Sequence, residues 1–273
     1  SEHGFEVSYI PVNAQGFVDV EALAGLLRPD TILVSVMAVN NEIGSIQPIQ
    51  EISALLANEP TISFHVDAVQ AIGKIPVSAY LTDRVDFATF SGHKFHAVRG
   101  VGFVYKKAGK KITPFLTGGG QEKDLRSTTE NVAGIVGIGK AIEMACYEMQ
   151  DKNKNIIELR NYFINEIRNK IPYIKINGDL ENRLPGNVNI SFLYTKGKDI
   201  VKLLAKHNIC TSSGSACSSG LPQPSHVLIA MGLNEDIANS AVRITLGKEN
   251  TKEEIDYTIK ILKTIVENLR TEI

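Results

Sequence analysis

Two side chains in this 273-residue sequence stand where amine and carboxylate chemistry could be done. Lys94 lies in Phe90-Ser91-Gly92-His93-Lys94-Phe95-His96. The preceding Val85-Asp86-Phe87-Ala88-Thr89 is rich in β-branched and aromatic residues and predicts a strand, and the glycine-punctuated Arg99-Gly100-Val101-Gly102-Phe103-Val104-Tyr105 predicts a turn and another strand. A lysine at such a junction, partly withdrawn from water, can lose its proton and act as a nucleophile. Taken alone, Ser-Gly-His-Lys is equally a surface lysine at a strand end. Asp67 has a comparable place, after the apolar run Ile62-Ser63-Phe64-His65-Val66 and before Ala68-Val69-Gln70. Open α/β sheets collect binding groups just beyond the carboxyl ends of strands. A carboxylate there can also simply serve a turn.

The amine and the carboxylate together are the pair that pyridoxal phosphate needs. The lysine holds the cofactor as a Schiff base, and the carboxylate keeps the ring nitrogen protonated so that the ring can accept electrons from a substrate Cα. Two further residues invite chemistry. Cys217 sits in Ser212-Ser213-Gly214-Ser215-Ala216-Cys217-Ser218-Ser219-Gly220, small and polar, which predicts a surface loop. A cysteine there is a poor core residue and an available nucleophile, or else an adventitious exposed thiol. Arg243 is embedded in the apolar strand pattern Ala241-Val242-Arg243-Ile244-Thr245-Leu246 and needs a partner. A substrate carboxylate or a structural salt bridge would serve.

The elements that must carry these residues follow from periodicity. Asp19 to Leu27 predicts a short amphipathic helix, and Thr31 to Ala38 a strand. Pro48 opens a helix with Ile49, Ile52, Leu55 and Leu56 on one face. With strands expected at 62–66, 85–90 and 100–105, the order is that of a mainly parallel α/β layer. A long helix is expected from Asn131 to about Gln150, with Ile135, Ile138, Ile142, Ala145 and Met149 inward and Cys146 buried beside them. Asn155 to Lys170 predicts another helix. Asn187-Val188-Asn189-Ile190-Ser191-Phe192 alternates as a half-exposed strand does. Cys210 is expected at the inert end of a short strand. Thr251 and Glu254 form a capping-box pair before the last helix. His65 is expected to be structural and on the strand face opposite Asp67, and His96 and Arg99 have no assigned role. The expectation is a cofactor-binding large domain over 1–150 and a smaller α+β domain over 151–273.

Bulk composition is that of an ordinary globular protein, 43% hydrophobic and 22% charged, with a net charge of −1. That balance points to neither nucleic acid nor an anionic membrane as partner, and no apolar run is long enough to span a bilayer. Three cysteines without metal-type spacing favour free thiols in a reducing compartment. The expected location is the cytoplasm, with organellar targeting left open because the chain begins at Ser1 without a methionine.

Four segments together resemble the cysteine desulfurases of the group I type, within the class-V aminotransferase-like enzymes. They are Val39-Asn40-Asn41-Glu42-Ile43-Gly44, His65-Val66-Asp67-Ala68-Val69-Gln70, Ser91-Gly92-His93-Lys94 and Ser212-Ser213-Gly214-Ser215-Ala216-Cys217. The resemblance runs over essentially the whole chain. It implies a pyridoxal-phosphate-dependent transferase of fold type I that removes sulfur from L-cysteine, leaving alanine and a persulfide on Cys217. Lys94 would hold the cofactor and move the Cα proton, and Asp67 would partner the ring nitrogen. Asn41 and Gln70 would contact the phenolic oxygen, and Asn41 also the substrate. Ser91 and His93 would bind the phosphate, although a purely structural hydrogen bond is the other use for His93. Thr129 would reach the phosphate of a neighbouring subunit in a homodimer, although Thr128 stands where the family motif has glycine. Arg243 would bind the substrate carboxylate. The resemblance further implies an iron–sulfur scaffold or a sulfur carrier for tRNA as acceptor, with Cys217 also a transient ligand of an iron–sulfur cluster shared with the scaffold.

The rival readings are another class-V reaction, such as that of a selenocysteine lyase or an aminotransferase, and a chain that serves only as a binding or assembly module. The family's cofactor-stacking histidine and an amino-terminal phosphate-binding threonine lie upstream of Ser1. The expectation is therefore that residues 1–273 alone bind the cofactor weakly and turn over negligibly.

Overall fold

The computed structural model describes residues 4–214 and 223–271. In chain order its elements begin with α1 (Val20–Leu26), β1 (Leu33–Met37), α2 (Ile49–Leu55), β2 (Ser63–Asp67) and β3 (Phe87–Ser91). They continue with β4 (Gly102–Lys106), α3 (Val132–Tyr147), α4 (Met149–Lys170), β5 (Ile174–Asn177) and β6 (Asn187–Phe192). The last are α5 (Gly197–Ala205), α6 (His226–Ala230), α7 (Glu235–Asn239), β7 (Ala241–Thr245) and α8 (Lys252–Thr271). These form two compact units. One comprises residues 28–38 and 49–149, and the other the described residues up to 27, 39–48 and from 150 on. Residues 39–48 thus group with the carboxyl-terminal half rather than with the strands they follow in sequence.

The first unit is built on a four-stranded sheet in the order β1-β2-β3-β4. The first three strands are parallel, and β4 runs antiparallel to β3. Val34, Val36, Phe64, Val66, Ala88 and Phe90 are buried, as are Ile49, Ile52 and Leu56 of the helix region between β1 and β2. Every second residue of β2 is buried, while Ser63, His65 and Asp67 on the other face are only half-buried. Two glycines let neighbouring segments close on the Lys94 turn. A Cβ on Gly102 would stand 2.5 Å from Phe90 O, and one on Gly92 would stand 2.9 Å from Val101 O and 3.1 Å from Ile138 Cδ1 of α3.

Asp86, just before β3, ties this unit together. Its carboxylate, 2% exposed, accepts from Phe64 N (2.9 Å) and pairs with Arg84 (2.8 Å) and Lys110 (3.1 Å). The Arg84 guanidinium also donates to the carbonyls of Leu56, Glu59 and Ile62, pinning the chain that enters β2. Burial pushes the Asp86 carboxyl up, but the Phe64 amide and the Lys110 and Arg84 cations outweigh it and hold it below the usual carboxylate range. A depressed native value contributes stability that is present above the ordinary carboxyl value and lost as pH falls through the native one. Asp86→Asn is therefore expected to lower the unfolding free energy by about 3 kcal/mol at neutral pH, because two cations lose a buried partner. Urea unfolding of both proteins should show the difference closing as pH falls below the ordinary aspartate range.

The second unit holds a three-stranded antiparallel sheet, β5-β6-β7. Its apolar core takes Phe163 and Ile167 from α4, Ile200 and Leu204 from α5, and Ile259 and Leu262 from α8, against Val188, Ile190 and Phe192 of β6. The capping box forms as expected: Glu254 Oε2 accepts from Thr251 N (3.1 Å), and Thr251 Oγ1 accepts from Glu254 N (3.3 Å).

Several local expectations are corrected. β6 is buried along its whole length, not half-exposed. Its polar face is covered by protein: Asn177 Nδ2 donates to Asn189 Oδ1 and Ser191 Oγ (2.8 Å each), and Asn187 and Asn189 both donate to Glu42 O (3.2 Å each). Alternation marks a polar face but does not say whether water or other polar groups meet it. Cys146 is exposed, not buried. The buried stripe of α3 is Gly134, Ile138 and Ala145, and the next residue round from Ala145 turns away from it. Cys210 is also exposed and ends no strand. The extended pairing begins two residues later, as an isolated bridge between Ser212 and Arg243. α3 ends at Tyr147, and α4 starts at Met149, earlier than its apolar spacing predicts. Asp151 in its first turn favours the helix start by its charge.

Candidate active site

The parallel register of the first unit sets the site. Asp67, the last residue of β2, pairs with Met37 of β1 and Thr89 of β3, so Asp67 and the end of β3 leave the sheet at the same edge. There Asp67 Oδ1 accepts from Val69 N (3.0 Å), turning the chain sharply into the segment that carries Gln70. Gln70 is half-buried, and its Oε1 accepts from Lys74 Nζ (3.0 Å). β3 ends in Ser91, whose Oγ is hydrogen-bonded to His93 Nδ1 (2.8 Å). A 3-10 turn over Gly92–Phe95 follows and closes with His96 in the left-handed region (φ 68°). Lys94 is half-buried in that turn, and among the described residues its amine has no hydrogen-bonding or charged partner.

His65 lies two residues before Asp67, hence on the same face of β2, not the opposite one. Its Nδ1 is hydrogen-bonded to Ser35 Oγ (2.7 Å) and its Nε2 to Thr89 Oγ1 (3.1 Å), a polar row across β1, β2 and β3 beneath the carboxylate. Burial lowers its pKa against the opposing pull of Asp67, so the ring is neutral near neutrality. Spacing by two in a strand was the signal for this row.

Thr129 is exposed in the irregular stretch before α3 and makes no hydrogen bond with the Asp67–Lys94 group. Thr128 does not adopt the left-handed conformation open to the family's glycine. Three consecutive residues upstream do, Glu122, Lys123 and Asp124 (φ 51°, 57° and 64°).

The second unit brings Asn41 and Arg243 together. Arg243 Nη1 donates to Asn41 O (2.8 Å), and its backbone exchanges two hydrogen bonds with Ser212 (3.1 and 2.6 Å). Asn40 Oδ1 shapes the turn that holds Asn41, accepting from Glu42 N (2.9 Å) and Ile43 N (3.1 Å). Gly44 completes that turn at φ +75°, where a Cβ would stand 2.7 Å from the Asn187 side chain. Cys217 lies outside the described residues.

The first-unit group is chemically suited to pyridoxal phosphate. The carboxylate of Asp67 could meet a cationic ring nitrogen, the hydroxyl of Ser91 and the imidazole of His93 could meet a phosphate, and the uncommitted amine of Lys94 could meet an aldehyde. Comparison with known proteins bears on the family. The class-V aminotransferase family matches residues 1–258. Cysteine desulfurase IscS of Dictyoglomus turgidum is 48% identical over 268 residues, covering 98% of this chain and 68% of that protein. Cysteine desulfurase IscS of Methanosarcina thermophila is 44% identical over 98% of the chain and 65% of its own length. Among solved structures, a NifS-like protein superposes with a TM-score of 0.88 at 39% identity, covering 98% of this chain and 70% of that one. A NifS-like protein from Rickettsia africae superposes at 0.83 with 34% identity over 94% and 69%. With this fold, this donor set and relatives this similar, the chain belongs to the class-V aminotransferase family and, within it, to the pyridoxal-phosphate-dependent cysteine desulfurases of fold type I.

Proposed function

We propose that the residues named above carry the desulfuration of L-cysteine in separate roles. What supports this most is one juxtaposition. A carboxylate and an uncommitted lysine leave adjacent parallel strands at one sheet edge, with a hydroxyl–imidazole pair between them in sequence. Pyridoxal phosphate, when bound, supplies an electron sink for charge left at the substrate Cα. Asp67 would keep the ring nitrogen protonated, while Ser91 and His93 would donate to the phosphate. Lys94 Nζ would hold the aldehyde carbon and then, freed by substrate, take the proton from Cα. Asn41 and Gln70 would donate amide hydrogens to the phenolic oxygen. Arg243 would take the substrate carboxylate with the guanidinium edge not used on Asn41 O.

Cys217 thiolate would then attack the substrate sulfur. The S–S bond would form as the C–S bond breaks, its electron pair staying with the carbon fragment, which would take one proton at Cβ and regain one at Cα to leave as alanine. The persulfide passes to a scaffold or carrier thiol, and Cys217 would serve as the cluster ligand if an iron–sulfur cluster is built there. Exposed Val132, Val136 and Tyr147 on α3, with Phe115 almost fully exposed, support a second copy of the chain covering that face and Thr129 acting across it. No described helix is long and apolar enough to cross a membrane. Three cysteines without metal-type spacing, which suit a reducing compartment, support the cytoplasmic placement that we propose.

The test is product analysis on the cofactor-loaded full-length protein. L-cysteine is expected to yield alanine and sulfane sulfur in equal amounts. Turnover of selenocysteine without turnover of cysteine would replace this reading with a lyase one.

A further inference from the structure

We infer that His65 is a positioning residue that acts through Asp67: held uncharged between Ser35 and Thr89, it leaves the Asp67 carboxylate free to pair with the cofactor's ring nitrogen. The inference rests on the reading above that pairs Asp67 with that nitrogen. Strand period places His65 and Asp67 on one face of β2, roughly 7 Å apart along the strand. A histidine this close to a carboxylate is ordinarily drawn to take a proton and pair with it. Here both ring nitrogens are engaged from the neighbouring strands, Nδ1 by Ser35 Oγ on β1 (2.7 Å) and Nε2 by Thr89 Oγ1 on β3 (3.1 Å). A neutral imidazole has one N–H to donate and one bare nitrogen to accept, and a hydroxyl can serve either. The row is thus satisfied at both ends with no charge on the ring, and the half-buried setting of His65 opposes adding one.

The sheet register fixes the row and the carboxylate together. His65 stands opposite Ser35 in the β1–β2 pairing, and Asp67 stands opposite Thr89 in the β2–β3 pairing. Apart from His65 itself, only Asp67 and Lys106 are ionisable among the strand residues that share this face of the four-stranded sheet. Lys106 lies two strands from His65, and its Nζ donates to Lys110 O (2.8 Å). Asp67 Oδ1 accepts from Val69 N, and among the described residues no cation pairs with its carboxylate. The charge of Asp67 is therefore available to an incoming cation. A cationic side chain in place of His65 would claim that charge instead. At this separation two unit charges interact strongly enough to shift a competing equilibrium by roughly tenfold or more. A ring that stays neutral at this position keeps the carboxylate unclaimed until the pyridinium arrives, and His65 does so without touching cofactor or substrate.

Two measurements on the full-length protein test this. In the cofactor-free form, nitrogen NMR of the His65 ring at neutral pH should show one protonated and one bare nitrogen. In the form loaded with pyridoxal phosphate isotopically labelled at its ring nitrogen, the same method should show that nitrogen protonated. His65→Gln, neutral and able to donate at one atom and accept at the other, should keep the proton and a near-parental affinity. His65→Lys sets an ammonium against Asp67. It should strip the ring nitrogen of its proton and weaken pyridoxal phosphate binding roughly tenfold or more. A merely structural role for His65 would lower the stability of both variants and leave the ring nitrogen protonated in each. The inference is overturned by a doubly protonated His65 ring in the cofactor-free parent, a result that needs no variant to fold. It is overturned equally by a ring nitrogen that stays protonated in His65→Lys or loses its proton in His65→Gln. A bare ring nitrogen in the loaded parent overturns the pairing with Asp67 itself, and this inference with it.

Discussion

In the full-length protein, Lys94→Ala is expected to fold normally yet lose cysteine turnover. The amine is half-buried without a partner among the described residues, so its removal leaves no orphaned group behind and thermal unfolding of the cofactor-free protein should be nearly unchanged. Chemically the change is severe. The cofactor loses its covalent attachment, and the Cα proton loses its acceptor, which by itself is worth roughly 10²–10⁴-fold. The visible band of the lysine-bound cofactor should disappear, and borohydride treatment of the parent should fix the cofactor to the peptide containing Lys94. Attachment to any other lysine would refute the assignment.

Cys217→Ser should divide the reaction in two. Cofactor binding and the absorption change on adding L-cysteine are expected to persist, since Asp67, Lys94 and Arg243 are untouched. No protein persulfide should form, and sulfur release should fall by several orders of magnitude, as it does when a nucleophile is deleted from other enzymes. A hydroxyl cannot replace the thiolate because its oxygen is scarcely ionised at neutral pH and attacks sulfur poorly. Parental sulfur release in Cys217→Ser would reduce the cysteine to an adventitious thiol and favour a lyase.

Where the candidate residues sit was largely legible in one dimension. Lys94, Asp67 and the Ser91–His93 pair could be read because strand ends are local events: a β-branched run followed by a polar turn places its last residue at a sheet edge wherever the strand goes. The Thr251–Glu254 box and the apolar stripe of α8 were legible for the same reason, since their partners lie within a turn of one another. Spacing by two likewise puts His65 on the face of Asp67, where it bonds Ser35 and Thr89.

Other features depended on which distant segment arrived. The alternation of β6 was correct as a pattern, but whether Asn187, Asn189 and Ser191 met water depended on Asn177 and on the Glu42 carbonyl, the latter more than a hundred residues away in sequence. Cys146 sits one helical step from Ala145, and only the packed face of α3 decides which of the two is buried. Glu42 gave no local sign of burial, because a glutamate in an Asn-rich turn is ordinarily solvated; its covering residue, Ser225, comes from the far end of the chain. By itself, then, the sequence determined the chemical groups, the strand ends that carry them and the family they belong to. The tertiary structure alone decided which polar groups are buried and what satisfies them, because burial is set by packing between segments while periodicity records only the chain's own geometry.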